Sequence, residues 1–396
     1  MKIGIYNSCR DNAATGGLSA AVLASALSHR HQTEIIRTQQ SPTPESLALS
    51  GECSLAEVSF RVVDPQPQNF TDPNRPDRRY QAIWDWSNEL TRPYDLFINF
   101  ADRLPIFCAS PRGVLVIQFP HDFVPLVYQR LWRAHLDSYQ LKLANSYYTR
   151  FWTSLFWELD CGVLYPPAPI LNSQLAKDNL IVSAGPFNAT QTHNQLKLIS
   201  AFDDLRTYLP SWSLSMMGEV DEKTSSRRSF ARLAESANDA GVSVFANPTS
   251  EQQLSLFSRA KLLWQATGLG EDLERAPERA EPFSMRLLQA MSAGCVPLAA
   301  NCGGLPEVIR HDKNGFFWND FAELTNYTRS LANDERKRLQ LAKAARRRAW
   351  EFRPERYVSI FLRQLESAFG IRTYSRANPV WLWRRLVSSP SISAKT

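Results

Sequence analysis

The chain has 396 residues, of which 44% are hydrophobic and 21% charged, with a net charge of +6 and an isoelectric point near 9.0. That is long for one core and natural for two α/β domains, and no run reaches the roughly 18 apolar residues of a membrane span. The opening MKIGIYNSCR reads as a strand and not as a signal peptide.

Mild basicity fits a membrane surface, phosphorylated ligands or nucleic acid, and by itself selects none of them. Cys9, Cys53, Cys108, Cys161, Cys295 and Cys302 show neither C-x-x-C nor metal spacing. They read as buried free thiols of a reducing cytoplasm.

In chain order, residues 2–6 (KIGIY) form a first strand, and the following loop ends in Gly16-Gly17 before a helix over Leu18 to Leu27. A strand, a glycine turn and a helix N-terminus open many nucleotide-binding folds, but G-x-G-x-x-G is missing, which weakens a dinucleotide reading. The glycines equally allow a plain tight turn. Glu34 to Arg37 is a second strand. Residues 38–80, rich in Pro, Ser, Gln and Asp, read as a loop-heavy insertion with one strand at Val58 to Val63.

Tyr94 to Phe100 and Gly113 to Phe119 are buried strands of a parallel sheet. The second runs into His121, which at a strand end is a candidate for ligand contact, or a plain surface histidine. Tyr128 to Leu143 reads as helical. Asn145-Ser146 suits a helix cap, and Cys161 to Tyr165 is a last short strand. Pro166-Pro167-Ala168-Pro169 is the best interdomain linker.

Beyond it, strands at Asn179 to Ala184, Trp212 to Met217, Val242 to Ala246 and Leu262 to Trp264 alternate with helices at Leu196 to Leu205, Phe230 to Ala240 and Glu251 to Ala260. Such alternation marks a doubly wound sheet. Then comes EPFSMRLLQAMSAGCVPLAANCGGLPEVIRHDKNGFFW, from Glu281 to Trp318. Ser284 caps a helix that ends at Gly294, Val296 to Ala300 is a buried strand, and Gly303-Gly304 turns before Pro306 opens another helix. Two helix N-termini at a strand end suit an anionic ligand. Helices at Ala322 to Leu331, Asp334 to Glu351 and Pro354 to Phe369 follow. Arg346-Arg347-Arg348 reads as a solvated face. The tail WLWRRLV (Trp381, Trp383, Arg384, Arg385) suits either a membrane interface or packing on the first domain.

The Glu281–Trp318 stretch resembles the nucleotide-sugar signature of family-4 retaining glycosyltransferases of the GT-B fold. The pattern there is E-x-F-G-x-x-x-x-E-A-M-A-x-G, a strand, then G-G-x-x-E. Glu281, Phe283, Ala290, Met291, Gly294, Pro297, Gly303, Gly304, Pro306 and Glu307 fall in register, and the run from Trp264 is similar to a bacterial W-H-A-T-G…E-H-F-G branch.

The resemblance implies an α/β GT-B chain of two Rossmann-like doubly wound domains facing a central cleft. Residues 1–168 would form the acceptor domain and 175–352 the nucleotide-sugar domain, with 353–396 a helix and tail crossing back. It implies a donor site of Gly16, Gly17, Gly185, His193, Phe283, Ser284, Met285, Arg286, Leu287, Gln289, Gly303 and Gly304, with Glu281 and His121 as catalytic candidates. The donor would be a nucleotide-diphosphate sugar, with no cofactor and no obligatory metal, and the acceptor a glycan or lipid-linked hydroxyl. The setting would be cytoplasmic or at the inner membrane face, with no nucleic acid.

Three positions depart from the family pattern. Gln289 replaces the second Glu, Ser284 replaces a Gly, and Pro186 stands where the family has an Arg. His193 falls at the position of a family Lys and, if protonated, would partly replace it; Lys197, Arg286 and Arg310 are the other candidate cations. The implied activity is transfer of a sugar, and a catalytically impaired scaffolding protein is the alternative.

Overall fold

The computed structural model describes residues 1–7, 15–39, 41–51, 53–64, 76–101, 105–120, 129–171, 173, 175–187, 193–220 and 224–371. The chain divides into two compact units, Met1–Pro169 with Pro354–Thr396, and Ile170–Arg353. His121 and the WLWRRLV tail lie outside the described residues.

The first unit runs β1 (Lys2–Asn7), α1 (Thr15–Ser28), β2 (Gln32–Arg37), α2 (Pro44–Gly51), β3 (Val58–Val62), α3 (Pro76–Thr91), β4 (Leu96–Ala101), β5 (Gly113–Ile117), α4 (Gln129–Asp137), β6 (Leu141–Ala144), α5 (Tyr147–Trp157) and β7 (Gly162–Val163). Its seven strands pair in parallel in the order 3-2-1-4-5-6-7. Ile3, Ile5, Phe97, Ile98 and Leu115 are fully buried, as expected of a parallel sheet covered on both faces.

Four expectations change here. Gly16 and Gly17 are not a turn; they are buried in the first turn of α1. The supposed loop over 38–80 contains α2, which packs on α1 through the buried Leu47. Its sequence signal was present, because Thr43 accepts from Ser46 N at 3.3 Å, Pro44 opens the helix and Glu45 sits in its first turn. Pro76 likewise opens α3 within that stretch. The helix read as far as Leu143 stops at Asp137, and β6 takes its place. The cause is tertiary: the buried Tyr139 hydroxyl donates to Ile106 O at 2.7 Å and accepts from Asn99 at 2.9 Å. Those bonds hold the chain in position to pair with β5.

The second unit runs β8 (Asp178–Ala184), α6 (Gln195–Arg206), β9 (Ser213–Gly218), α7 (Thr224–Asp239), β10 (Ser243–Ala246), α8 (Ser250–Arg259), β11 (Ala260–Gln265), α9 (Met285–Ser292), β12 (Val296–Ala300), β13 (Phe316–Trp318), α10 (Phe321–Asn333) and α11 (Glu335–Trp350). Its parallel sheet has the order 10-9-8-11-12-13, so the direction of winding reverses between β8 and β11. Crevices at the carboxyl ends of strands at such a switch point are where open α/β sheets hold ligands. Helix α12 (Pro354–Phe369) returns to the first unit, packing on α1 and β6.

No helix among the described residues is long and apolar enough to cross a membrane. Cys108, Cys161 and Cys295 are buried free thiols, whereas Cys53 and Cys302 are only partly covered. Burial pushes the Cys108 thiol up to about 12 and Cys161 to about 11.

Trp264, fully buried on β11, lies at the centre of the second core with Phe202, Leu298 and Leu324. Its indole N–H donates to the buried Thr328 hydroxyl of α10 at 3.0 Å. Thr328→Val keeps the shape and strands that donor, so a loss of about 1–3 kcal/mol is expected. Urea unfolding would measure it, and an unchanged midpoint would show that the indole finds another acceptor.

Candidate functional site

The carboxyl ends of β8 and β11 are tied together by side chains of the β8–α6 connection. Asn194, in a left-handed backbone conformation, donates to Ala266 O and Leu269 O, both at 3.0 Å. His193 shares a 2.7 Å hydrogen bond with Thr267 Oγ1. Gly185 leaves room for that imidazole, because a Cβ there would lie 2.6 Å from His193 Nδ1.

His193 therefore belongs to the β11 end, but not as a cation. Burial first, then the nearby Arg286 charge, lower its pKa from 6.5 to about 4, against a weaker raising effect of Glu219. At neutral pH such an imidazole is uncharged, so His193 stands in for a lysine only if a phosphate raises its pKa.

On the β12 side, Ser284 caps α9: its hydroxyl accepts from Leu287 N at 3.3 Å and from Gln265 Nε2 at 3.1 Å. The cap consumes the Leu287 amide as a donor, leaving those of Met285 and Arg286 at the open end of the helix. Gly294, at φ +90°, ends the helix as its spacing implied. The side chains of Phe283 and Leu287 are buried, Phe283 against the Phe352 ring at 5.7 Å. They anchor the loop and offer no surface. Gln289 is half-buried.

Glu281 precedes this helix, and its carbonyl accepts from Gly304 N at 2.8 Å. A Cβ on Gly304 would lie 2.0 Å from Pro282 O, and one on Gly303, at φ +63°, would lie 2.6 Å from Glu281 O. The glycine pair thus exists for backbone contact between the two halves of the motif. Its Gly304 N–H is committed to Glu281. The element after it is a 3-10 turn, Leu305–Glu307, rather than a second full helix, so of the two halves of this motif only the first presents a full helix N-terminus, that of α9.

Burial raises the Glu281 carboxyl from 4.5 to about 7, with Arg286 pulling the other way. Arg286, in the first turn of α9, holds both carboxylate oxygens of Glu219, just beyond β9. The Glu219 backbone is itself fixed, since its carbonyl accepts from Phe187 N at 2.8 Å. Arg286 therefore acts electrostatically on Glu281, His193 and Glu219 at once. It is the candidate cation that the fold brings to this group.

Lys197 instead lies among Phe187, Asn194, Gln195, Ser229 and Phe230, in a hollow between α6 and α7. Arg310 is exposed after the 3-10 turn. Gly16 and Gly17 belong to the other unit. Glu219 was missed by sequence reasoning, because nothing local distinguishes one carboxylate in GEVDE from its neighbours. Two of the three arginines read as a solvated face are also structural. Arg346 donates to Ala293 O at 3.0 Å, and Arg348 donates to Glu307 O at 2.6 Å and Val308 O at 3.2 Å. They satisfy the carbonyls that end α9 and the 3-10 turn.

Residues 172–348 match the family model "Glycosyl transferases group 1". The chain is 29% identical over 152 residues, 35% of its length, to the sulfoquinovosyl transferase SQD2 of Arabidopsis thaliana, and 34% identical over 89 residues, 20% of its length, to spore coat protein SA of Bacillus subtilis. The matches span 28% and 24% of those proteins, about a quarter of each. Among solved structures, Anabaena HepE in complex with UDP and glucose is similar over 93% of this chain and 100% of its own, with a TM-score of 0.65 at 17% identity. The fold is that of GT-B glycosyltransferases, and its second unit carries the glycosyl transferases group 1 match.

Proposed function

We propose that the chain is a glycosyltransferase that binds a nucleoside-diphosphate sugar at the β8–β11 switch point and moves the sugar to an acceptor hydroxyl. The observation that carries this reading is the juxtaposition of Glu281 and Arg286 across the start of α9, in a loop locked by Gly304. The group 1 match over residues 172–348, and the UDP and glucose held by HepE on the same fold, support a nucleotide-sugar donor.

Each residue then has a chemical task. As the sugar–phosphate bond breaks, negative charge grows on the leaving phosphate. The Arg286 guanidinium and the open amides of α9 stabilise it without reorganisation. The phosphate takes the acceptor's proton on the face it is leaving, which retains the anomeric configuration. Glu281 holds donor-sugar hydroxyls, and the acceptor is a glycan or lipid-linked sugar. The donor is a substrate in this scheme and no metal is obligatory.

Glu219 competes with the donor for Arg286, and this favours a second reading. If that ion pair never opens, the chain is an impaired, glycosyltransferase-like binding protein.

A thermal-shift panel of UDP, GDP and ADP with their sugars separates the two readings. Saturation at about 100 times the dissociation constant adds about 2.7 kcal/mol of stability, a clear rise in melting temperature. A flat response to every nucleotide at millimolar concentration would favour the impaired protein.

For the enzyme, Arg286→Met should lower the transfer rate by about 10²–10³, the usual effect of losing one donor to a developing oxyanion. Wild-type turnover in that variant would remove Arg286 from the mechanism. Glu281→Ala should abolish transfer while the protein stays folded.

Glu281 also gives a pH signature. Its folded value, about 7, lies above the ordinary 4.5, so its contribution to stability is complete below about pH 4.5 and is lost as the pH rises through 7. Glu281→Gln should match the wild type in acid and exceed it above about pH 8 by up to about 3 kcal/mol. Parallel stability curves for the two proteins would contradict a raised Glu281 carboxyl.

A further inference from the structure

Helix α11 carries seven basic residues and one acidic residue, a net +6 that equals the net charge of the whole chain. The remainder of the protein is therefore neutral on balance, and one helix of 16 residues accounts for the net positive charge.

Helical geometry sorts these charges. Arg338, Leu341, Ala342, Ala345 and Ala349 are buried on one side. Arg336, Leu339, Lys343, Arg346, Arg347 and Trp350 are all exposed and fall in an arc of about 100° on the opposite side. The two acidic residues at the helix ends are neutralised and lie at the margins of that arc: Glu335 holds Arg338, and Glu351 holds Arg348. Lys337, off the arc, pairs with Asp312, and Arg346 is committed to Ala293 O. Arg336, Lys343 and Arg347 take part in no ion pair among the described residues.

Leu339 and Trp350 stand within this basic arc with 54% and 53% of their surfaces exposed. The guanidinium of Arg353 lies over the Trp350 ring at 5.2 Å from its centroid. Polyanions such as nucleic acid reward the charges alone and leave the leucine in water. An anionic bilayer rewards both: lysine and arginine meet lipid phosphates, indole rings settle at the headgroup level, and leucine enters the acyl boundary.

We propose that the outer face of α11 is a docking surface for an anionic phospholipid membrane, with Arg336, Lys343 and Arg347 supplying the attraction and Leu339 and Trp350 the shallow insertion. The proposal is independent of the donor-site reading, because no residue of that site is involved.

The test is co-sedimentation of the full chain with vesicles of phosphatidylcholine alone and with about 30% phosphatidylglycerol, at about 0.15 M salt. The wild type should sediment with the anionic vesicles and not with the zwitterionic ones. Arg336→Glu with Lys343→Glu and Arg347→Glu should lower the partition coefficient more than about a hundredfold. Leu339→Ser with Trp350→Ser should lower it several-fold. All five positions are exposed, so melting curves should stay close to wild type; if charge reversal disturbs folding, the triple glutamine variant replaces it. Any of three results would overturn the assignment: equal binding to both vesicle types, no vesicle binding, or a charge variant that binds like the wild type. An unaffected apolar variant would reduce the contact to charge alone and overturn the insertion. Binding of an RNA or DNA oligomer without vesicle binding would give the face to nucleic acid instead.

Discussion

The hydrogen bond from Gly304 N to Glu281 O is the contact on which the site depends. It forms only because neither Gly303 nor Gly304 has a side chain where the Glu281–Pro282 backbone passes. That close approach sets the start of α9, and Ser284 then closes the first turn and ties it to Gln265 at the end of β11. Behind the site, Arg346 and Arg348 of α11 satisfy the carbonyls that end α9 and the 3-10 turn. A site held within a fraction of an ångström needs such second-layer support, and here it comes from a helix some 50 residues downstream in sequence.

Burial acts on Glu281 and His193 in the same sense: it opposes charge. It raises Glu281 and lowers His193, so near pH 7 His193 is neutral and Glu281 is only partly ionised. Arg286, by contrast, has Glu219 as its counterion. The electrostatics of the site follow from the Arg286–Glu219 ion pair set beside two groups whose charge burial opposes.

The unit around this site is itself ordinary in its physics. Its sheet is covered on both faces, Trp264 is fully enclosed and hydrogen-bonded to Thr328, and α11 buries one face while leaving a basic, partly apolar face outward. Distribution of charge, rather than its total, distinguishes the outside of this unit: a modest +6 gives little hint of a single helix that accounts for all of it.

Local signals were legible where the chain's own neighbours decide the outcome. The cap at Ser284, the left-handed end at Gly294, the cap at Ser146 and most strands and helices of the second unit follow from periodicity and punctuation, because caps and turns involve residues three or four apart. The glycosyltransferase resemblance rested on the same short register from Glu281 to Glu307. The length of α4, the helical setting of Gly16-Gly17, the neutrality of His193, the work of Arg346 and Arg348, and the pairing of Arg286 with Glu219 were not legible. Each depends on groups distant in sequence: Tyr139 with Ile106, His193 with Thr267, Arg286 with a carboxylate 67 residues earlier. Sequence by itself determined the type of most elements and the motif, since those are properties of neighbouring residues. Tertiary structure alone decided which side chains carry charge and which way they face, because burial and ion pairing exist only once remote segments meet.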